Sequence, residues 1–219
     1  PQKAKKAWYD FYIKARITKD IASIENVQVD TISHLSKLLK VLAGQVASLV
    51  NYSNIAKSIG IADKTVAKYI GLLEALYIIK LVPSYSNNTL KKVTKSPKVH
   101  FIDSGLASFL LNASVESSMI GKNEHLGNLV ETFVYSELIK HQSFANEEVE
   151  IYHFRDQQKK EVDFILESNS GDIVALEIKS GSNIKSEHFK GLLAIAKTIK
   201  NKNFKGIVFY GGDKVLPFK

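Results

Sequence analysis

Two alternating stretches, Glu161-Val-Asp-Phe-Ile-Leu-Glu167 and Ile173-Val-Ala-Leu-Glu-Ile-Lys179, constrain the fold more than any other part of this chain. In the first, Val162, Phe164 and Leu166 share one face of a strand and Asp163 lies on the other. In the second, Val174, Leu176 and Ile178 point one way, while Glu177 and Lys179 point the other. Charges on an otherwise apolar strand are costly in a buried sheet unless they are paired or used. For Asp163 to face Glu177 or Lys179 across this hairpin, the connection must hold an odd number of residues, centred on Ser170 or Gly171. A two-residue turn would separate the charges. With an odd connection, facing Cβ atoms start about 4.5–5.5 Å apart, close enough for two carboxylates to share a divalent cation.

That grouping points to phosphodiester hydrolysis. The reaction needs a cation to polarise a phosphoryl oxygen and acidify the attacking water, and a positive group to steady the developing charge. Asp163 and Glu177 are the candidate Mg2+ ligands. Lys179 is the candidate for positioning water and stabilising the transition state. The alternative is a plain surface bridge between Asp163 and Lys179 with no metal.

Around this hairpin the pattern predicts a helix from 121 to 141, strands over 149–154, 161–167 and 173–179, a helix over 184–200 and a strand over 206–211. The order is αβββαβ, an α/β (α+β) arrangement. The first helix is expected to bury Leu126, Val130, Phe133 and Val134. Glu131 lies at the edge of that stripe and Glu137 nearer its middle, so either could complete the site; Glu131 is preferred by its place in Gly127-x-x-x-Glu131.

Upstream, residues 3–20 form a helix with Trp8, Phe11, Tyr12, Ala15 and Lys19 on one face. Asp30 or Thr31 caps a long helix whose stripe is Ile32, Leu35, Leu38, Leu39, Leu42 and Val46. A short helix over 53–58, the turn Ile59-Gly-Ile61 and a second helix capped by Asp63 then read as a helix-turn-helix. Lys64, Thr65 and Lys68 face outward on the second helix, where they would meet DNA. Strands over 77–82 and 98–102 flank a polar loop that carries Lys91, Lys92 and Lys95 and no acid. Lysines without arginines suit phosphate contact better than base reading. Such modules also dock proteins, and the charge balance decides little by itself: a formal charge of +8 and a pI near 9.4 favour a polyanionic partner without requiring one.

The absence of cysteine excludes disulfides and thiolate metal sites. The six histidines lack the close spacing that zinc sites prefer. A 45% hydrophobic content with a mean hydropathy of -0.07, and no apolar run near the roughly 20 residues that a membrane helix needs, predict a cytoplasmic protein with no membrane partner.

Val162-Asp-Phe164 followed by Leu176-Glu-Ile-Lys-Ser180 resembles the PD-(D/E)xK motif of the restriction-endonuclease-like superfamily. Residues 52–74 resemble winged helix-turn-helix domains, with the strands and basic loop after them as the wing. Taken together with Trp8-Tyr-Asp-Phe-Tyr-Ile13, Asn51-Tyr-Ser53, Ser96-Pro-Lys-Val-His-Phe-Ile-Asp-Ser-Gly105, Leu129-Val-Glu-Thr-Phe-Val-Tyr-Ser-Glu-Leu138 and Glu177-Ile-Lys-Ser-Gly181, the chain resembles the C-terminal half of a prokaryotic AAA-type ATPase family. Its members join a P-loop ATPase, a winged helix and a nuclease-like domain of unknown function. The resemblance implies three segments: 1–29, a linker helix from a missing ATPase domain; 30–103, the winged helix; and 104–219, the nuclease-like domain. It implies Glu131, Asp163, Glu177 and Lys179 as catalytic residues, with Glu131, Asp163 and Glu177 on the metal. It also implies DNA and the protein's own ATPase domain as partners, and leaves room for an oligomer. The chain opens without methionine on a lysine-rich helix, as a fragment would. It contains no G-x-x-x-x-G-K-[ST]: Gly121-Lys122 is followed by Asn123 and preceded by Glu116 where the first glycine belongs. ATP would enter only through the absent domain. The competing expectation is an inactive nuclease-fold module that binds DNA or protein and regulates the ATPase.

Overall fold

The structure is a computed structural model that describes residues 2–20, 29–86, 95–113, 124–199 and 203–217. It is a mixed α/β protein with two compact units, residues 1–81 with 98–136 and residues 82–97 with 137–219. No helix among the described residues is long and apolar enough to cross a membrane.

The first unit is mainly helical. Helix α1 (Gln2–Ala15) continues into a π-helical turn, Arg16–Asp20. Its buried anchor is Tyr9, stacked on Phe109 with centroids 5.0 Å apart, whereas Trp8 and Phe11 on the anticipated aromatic face are exposed. Helix α2 (Val29–Gly44) buries Leu35, Leu38, Leu39 and Leu42, as its periodicity predicts. It begins two or three residues earlier than a cap at Asp30 or Thr31 implies, so both lie inside its first turn. A short strand β1 (Ser48–Leu49) leads to α3 (Tyr52–Ile59), whose N-cap Asn51 accepts from the Asn54 amide at 3.0 Å. Gly60 closes α3, its amide bonded to the Ala56 carbonyl at 2.9 Å. Helix α4 (Asp63–Ala75) follows. Its N-cap is Ala62, with no side-chain cap; Asp63 is the first helical residue and accepts from the Ser53 hydroxyl at 2.9 Å, tying the two helices together.

Tyr77 adopts a left-handed φ of 55°, so strand β2 starts only at Ile79 and runs Ile79–Val82. Strand β3 (Lys98–Phe101) is the middle strand of a three-stranded sheet in the order β1-β3-β2, and all four of its residues are buried. Helix α5 (Ser104–Leu110), absent from the sequence reading, is capped by Asp103, which accepts from the Gly105 amide at 2.7 Å. Helix α6 (Leu126–Phe144) buries Glu131, Thr132, Tyr135 and Ser136. This overturns the expected apolar stripe: Phe133 is 53% exposed, and Val130 and Val134 are only half-buried.

The second unit contains strands β4 (Val149–Arg155), β5 (Glu161–Ser168), β6 (Ile173–Lys179) and β7 (Phe204–Tyr210), hydrogen-bonded in that order. β4, β5 and β6 run antiparallel. β7 is parallel to β6, as a crossover allows, and the 3-10 turn Ser186–Phe189 and helix α7 (Lys190–Thr198) lie in that crossover. One face of the sheet packs Val162, Ile165, Ile173 and Ala175 against Leu192, Ile195 and Ile199. α7 approaches β5 so closely that a Cβ on Gly191 would fall 1.8 Å from the Glu161 carbonyl oxygen, so this position must be glycine.

Candidate functional site

Between β5 and β6 the connection is Asn169-Ser170-Gly171, closed by the Ser168 amide on the Asp172 carbonyl at 3.0 Å. Three-residue hairpin loops of this kind end on a left-handed residue, and Gly171 has a φ of 86°. The odd loop sets the register Phe164↔Leu176, Ile165↔Ala175 and Leu166↔Val174. This is the register centred on Ser170, the one that directs Asp163 toward Glu177.

Regular alternation nevertheless breaks at Asp163. Tyr152 pairs with Ile165 and Phe154 with Val162, so Asp163 and Phe164 together face the single residue His153, a β-bulge. Val162 consequently shares the α7 face with Ile165 rather than a face with Phe164 and Leu166. On its other side, His153 is held by the segment after β2: its amide donates to the Pro83 carbonyl at 2.9 Å and its carbonyl accepts from Tyr85. The β5–β6 ladder stops at Phe164↔Leu176. Just beyond it, Asp163 Oδ2 accepts from the Ile178 amide at 2.8 Å, so the carboxylate sits on the peptide that links Glu177 to Ile178.

Glu177 and Lys179 are two residues apart on one face of β6, and Lys179 Nζ donates to Glu177 Oε1 at 2.6 Å. Asp163 and Glu177 are both buried, while the Lys179 side chain keeps about a third of its surface, 32%, in solvent. A bulge, two buried carboxylates on adjacent strands and a lysine that reaches solvent therefore meet where the ladder opens. Mg2+ is commonly held by one or two carboxylates, with water and substrate phosphate completing its shell, so this donor set fits that ion. Among the described residues, no group of three or more histidine, aspartate or glutamate side chains is arranged to hold a metal.

Glu131 lies in the first unit, bound to Lys98. Its Oε1 accepts from Lys98 Nζ at 2.9 Å, with His100 Nε2 at 3.8 Å. His100 Nδ1 meets the Thr132 hydroxyl at 3.0 Å, and the His100 ring lies 4.7 Å from that of Tyr135. Burial, then the charge of Glu74, pushes the Tyr135 hydroxyl well above its ordinary pKa, so this ring stays neutral. Glu137, the rival to Glu131, is tied to Lys140 at 2.6 Å in the second unit. Lys98 and His100 carry no sequence motif of their own that marks them as partners of this helix. Their alternation with Val99 and Phe101 marked them as sharing one face of a strand; that this strand is the middle one was not visible.

On the helix-turn-helix, Lys64 and Lys68 are exposed and Thr65 is half-buried. Lys95 is exposed, and Lys91 and Lys92 lie outside the described residues.

Residues 1–117, more than half of the chain, match the family described as domain of unknown function DUF8612. The chain belongs to the DUF8612 family. Residues 126–219, which carry Asp163, Glu177 and Lys179, match a second family, domain of unknown function DUF4143. This DUF8612 protein is similar to two curated mycobacterial proteins, uncharacterized protein Mb2031c of Mycobacterium bovis and uncharacterized protein Rv2008c of Mycobacterium tuberculosis. Each is 29% identical over 177 residues, which is 80% of this chain and 38% of the relative. The chain thus spans well under half the length of the curated relatives it matches. No solved structure matches it.

Proposed function

We propose that this chain is the DNA-binding and nuclease-like region of a larger AAA-type ATPase, and that it carries a Mg2+-dependent phosphodiesterase site at Asp163, Glu177 and Lys179. The observation that carries the reading is the bulge at Asp163, which brings a buried carboxylate onto the main chain beside Glu177 and Lys179. Bulges recur next to active sites, where they re-aim a side chain. In this reading Asp163 and Glu177 supply carboxylate oxygens to Mg2+. When bound, the ion would polarise the phosphoryl oxygen and lower the pKa of the attacking water. Lys179, the solvent-reaching member, donates to a phosphate oxygen and steadies the charge that builds there. Glu131 stands outside this reading, because taking it as a ligand would leave Lys98 buried without its carboxylate.

The helix-turn-helix is the proposed DNA contact, of winged type, with Lys64, Thr65 and Lys68 on the outward side of α4 and Lys95 beside β3. Lys91 and Lys92 belong to the same proposal. Phosphate contacts of this kind position a duplex without reading its sequence. The ATPase itself would lie outside this chain. The proposed setting is the cytoplasm.

A second reading, a non-catalytic module that binds DNA or protein and regulates the ATPase, is favoured by the ion pair that already engages Glu177. Incubation with supercoiled plasmid and Mg2+ separates the two. The catalytic reading predicts nicking by the wild type and a loss of roughly a hundredfold or more in Asp163→Ala. Equal nicking by wild type, Asp163→Ala and Lys179→Ala would remove the site assignment, and no nicking by any of them would favour the regulatory module.

A further inference from the structure

The lysine that this reading assigns to the substrate is bonded, in the structure, to the glutamate whose carboxylate it assigns to the cation. Lys179 Nζ and Glu177 Oε1 are 2.6 Å apart, a charge-assisted hydrogen bond at the short end of its range. An ammonium and a divalent cation cannot both bond that oxygen without strong repulsion. Like charges a few ångströms apart in a partly buried setting repel, and a divalent ion doubles the charge.

One member of the pair can give way more easily than the other. The Glu177 side chain is 12% exposed and sits on β6, an inner strand, whereas the Lys179 side chain is 32% exposed at the strand's end. A flexible four-carbon stem with a strongly hydrated head can swing into water at small cost. The glutamate has no such exit.

We propose that Lys179 is a latch on the cation site: it holds Glu177 until a divalent ion displaces it, and only then is its ammonium released to meet a phosphate oxygen. This rests on the nuclease-like reading and adds to it an order of events, cation first and Lys179–phosphate contact second. In the resting arrangement Lys179 also offsets the charge of Glu177, so the chain binds cations more weakly than its two carboxylates alone would.

Titration calorimetry with Mn2+ as the probe tests this without any cleavage assay. The 219-residue chain is compared with Lys179→Met, Lys179→Gln and, as a control for net charge, Lys185→Met, whose lysine is exposed and lies 3.8 Å from Glu187. Circular dichroism checks that each is folded. The latch predicts that both Lys179 variants bind Mn2+ roughly tenfold more tightly than wild type, with Lys185→Met unchanged. Equal or weaker binding by the Lys179 variants overturns the latch and leaves the cation site standing. So does an equal tightening in Lys185→Met, which would mean that net charge alone is at work. If neither wild type nor any variant takes up Mn2+, the cation site fails and the latch fails with it.

Discussion

Lys98–Glu131 and Lys179–Glu177 are the same two residue types at nearly the same separation, 2.9 and 2.6 Å, yet their surroundings make them different devices. Lys98 and Glu131 are 7% and 11% exposed, on a strand inside its sheet and on a helix. Neither charge can reach bulk water, so each depends on the other, and a buried pair of this kind resists the loss of either partner far more than it stabilises the fold. Lys179 keeps a path to solvent, so its pair can open and close. The contrast separates a glutamate that locks a fold from one that can exchange partners. It also shows that Glu131, to which the motif position pointed, is paired in the structure with Lys98.

The sharpest way to break this comparison is to remove each lysine in turn. Lys98→Met should cost about 3–5 kcal/mol in urea denaturation, because Glu131 would be left buried without its ammonium. Much of that loss should return in Lys98→Met/Glu131→Leu, which removes both charges. Lys179→Met should cost less than Lys98→Met, because water can take the place of the partly exposed Lys179 ammonium beside Glu177 but not that of Lys98. Similar losses at the two positions would erase the distinction.

Much of the fold was legible because it follows local periodicity. The leucine stripe of α2 and Gly60 between α3 and α4 each depend on a few consecutive residues, whereas the odd length of the β5–β6 turn stood in the sequence only as a condition for the site, which the pairing of Phe164 with Leu176 meets. What escaped depends on distant partners. The bulge at Asp163 exists because His153 alone stands opposite two residues, and β4 is fastened at that point to Pro83 and Tyr85, nearly seventy positions upstream. The burial of Glu131 and Thr132 in place of Phe133 requires knowing that Lys98 and His100 lie on a middle strand. Tyr9 displaces Trp8 as the anchor of α1 because Phe109, about a hundred residues later, supplies the ring it stacks on. Within the candidate site, Asp163, Glu177 and Lys179 could be read from strand pattern and motif. That Glu131 pairs with Lys98 and Glu177 with Lys179 could not.

A smaller effect extends the comparison to the exposed lysines of α4. On the DNA-binding reading, Lys64→Ala and Lys68→Ala should each weaken duplex binding uniformly across sequences. Each should also reduce the slope of log affinity against log salt by about 0.9, measured by fluorescence anisotropy at several salt concentrations. A loss confined to one sequence would indicate base reading instead.

The claim that Asp163 and Glu177 form a cation site is tested most directly by soaking crystals of the chain in Mn2+ and measuring anomalous scattering. The account predicts a peak bonded to both carboxylates at about 2.0–2.2 Å, with Lys179 Nζ moved away from Glu177. A map with no peak there, and with the Lys179–Glu177 bond intact at saturating Mn2+, would contradict it.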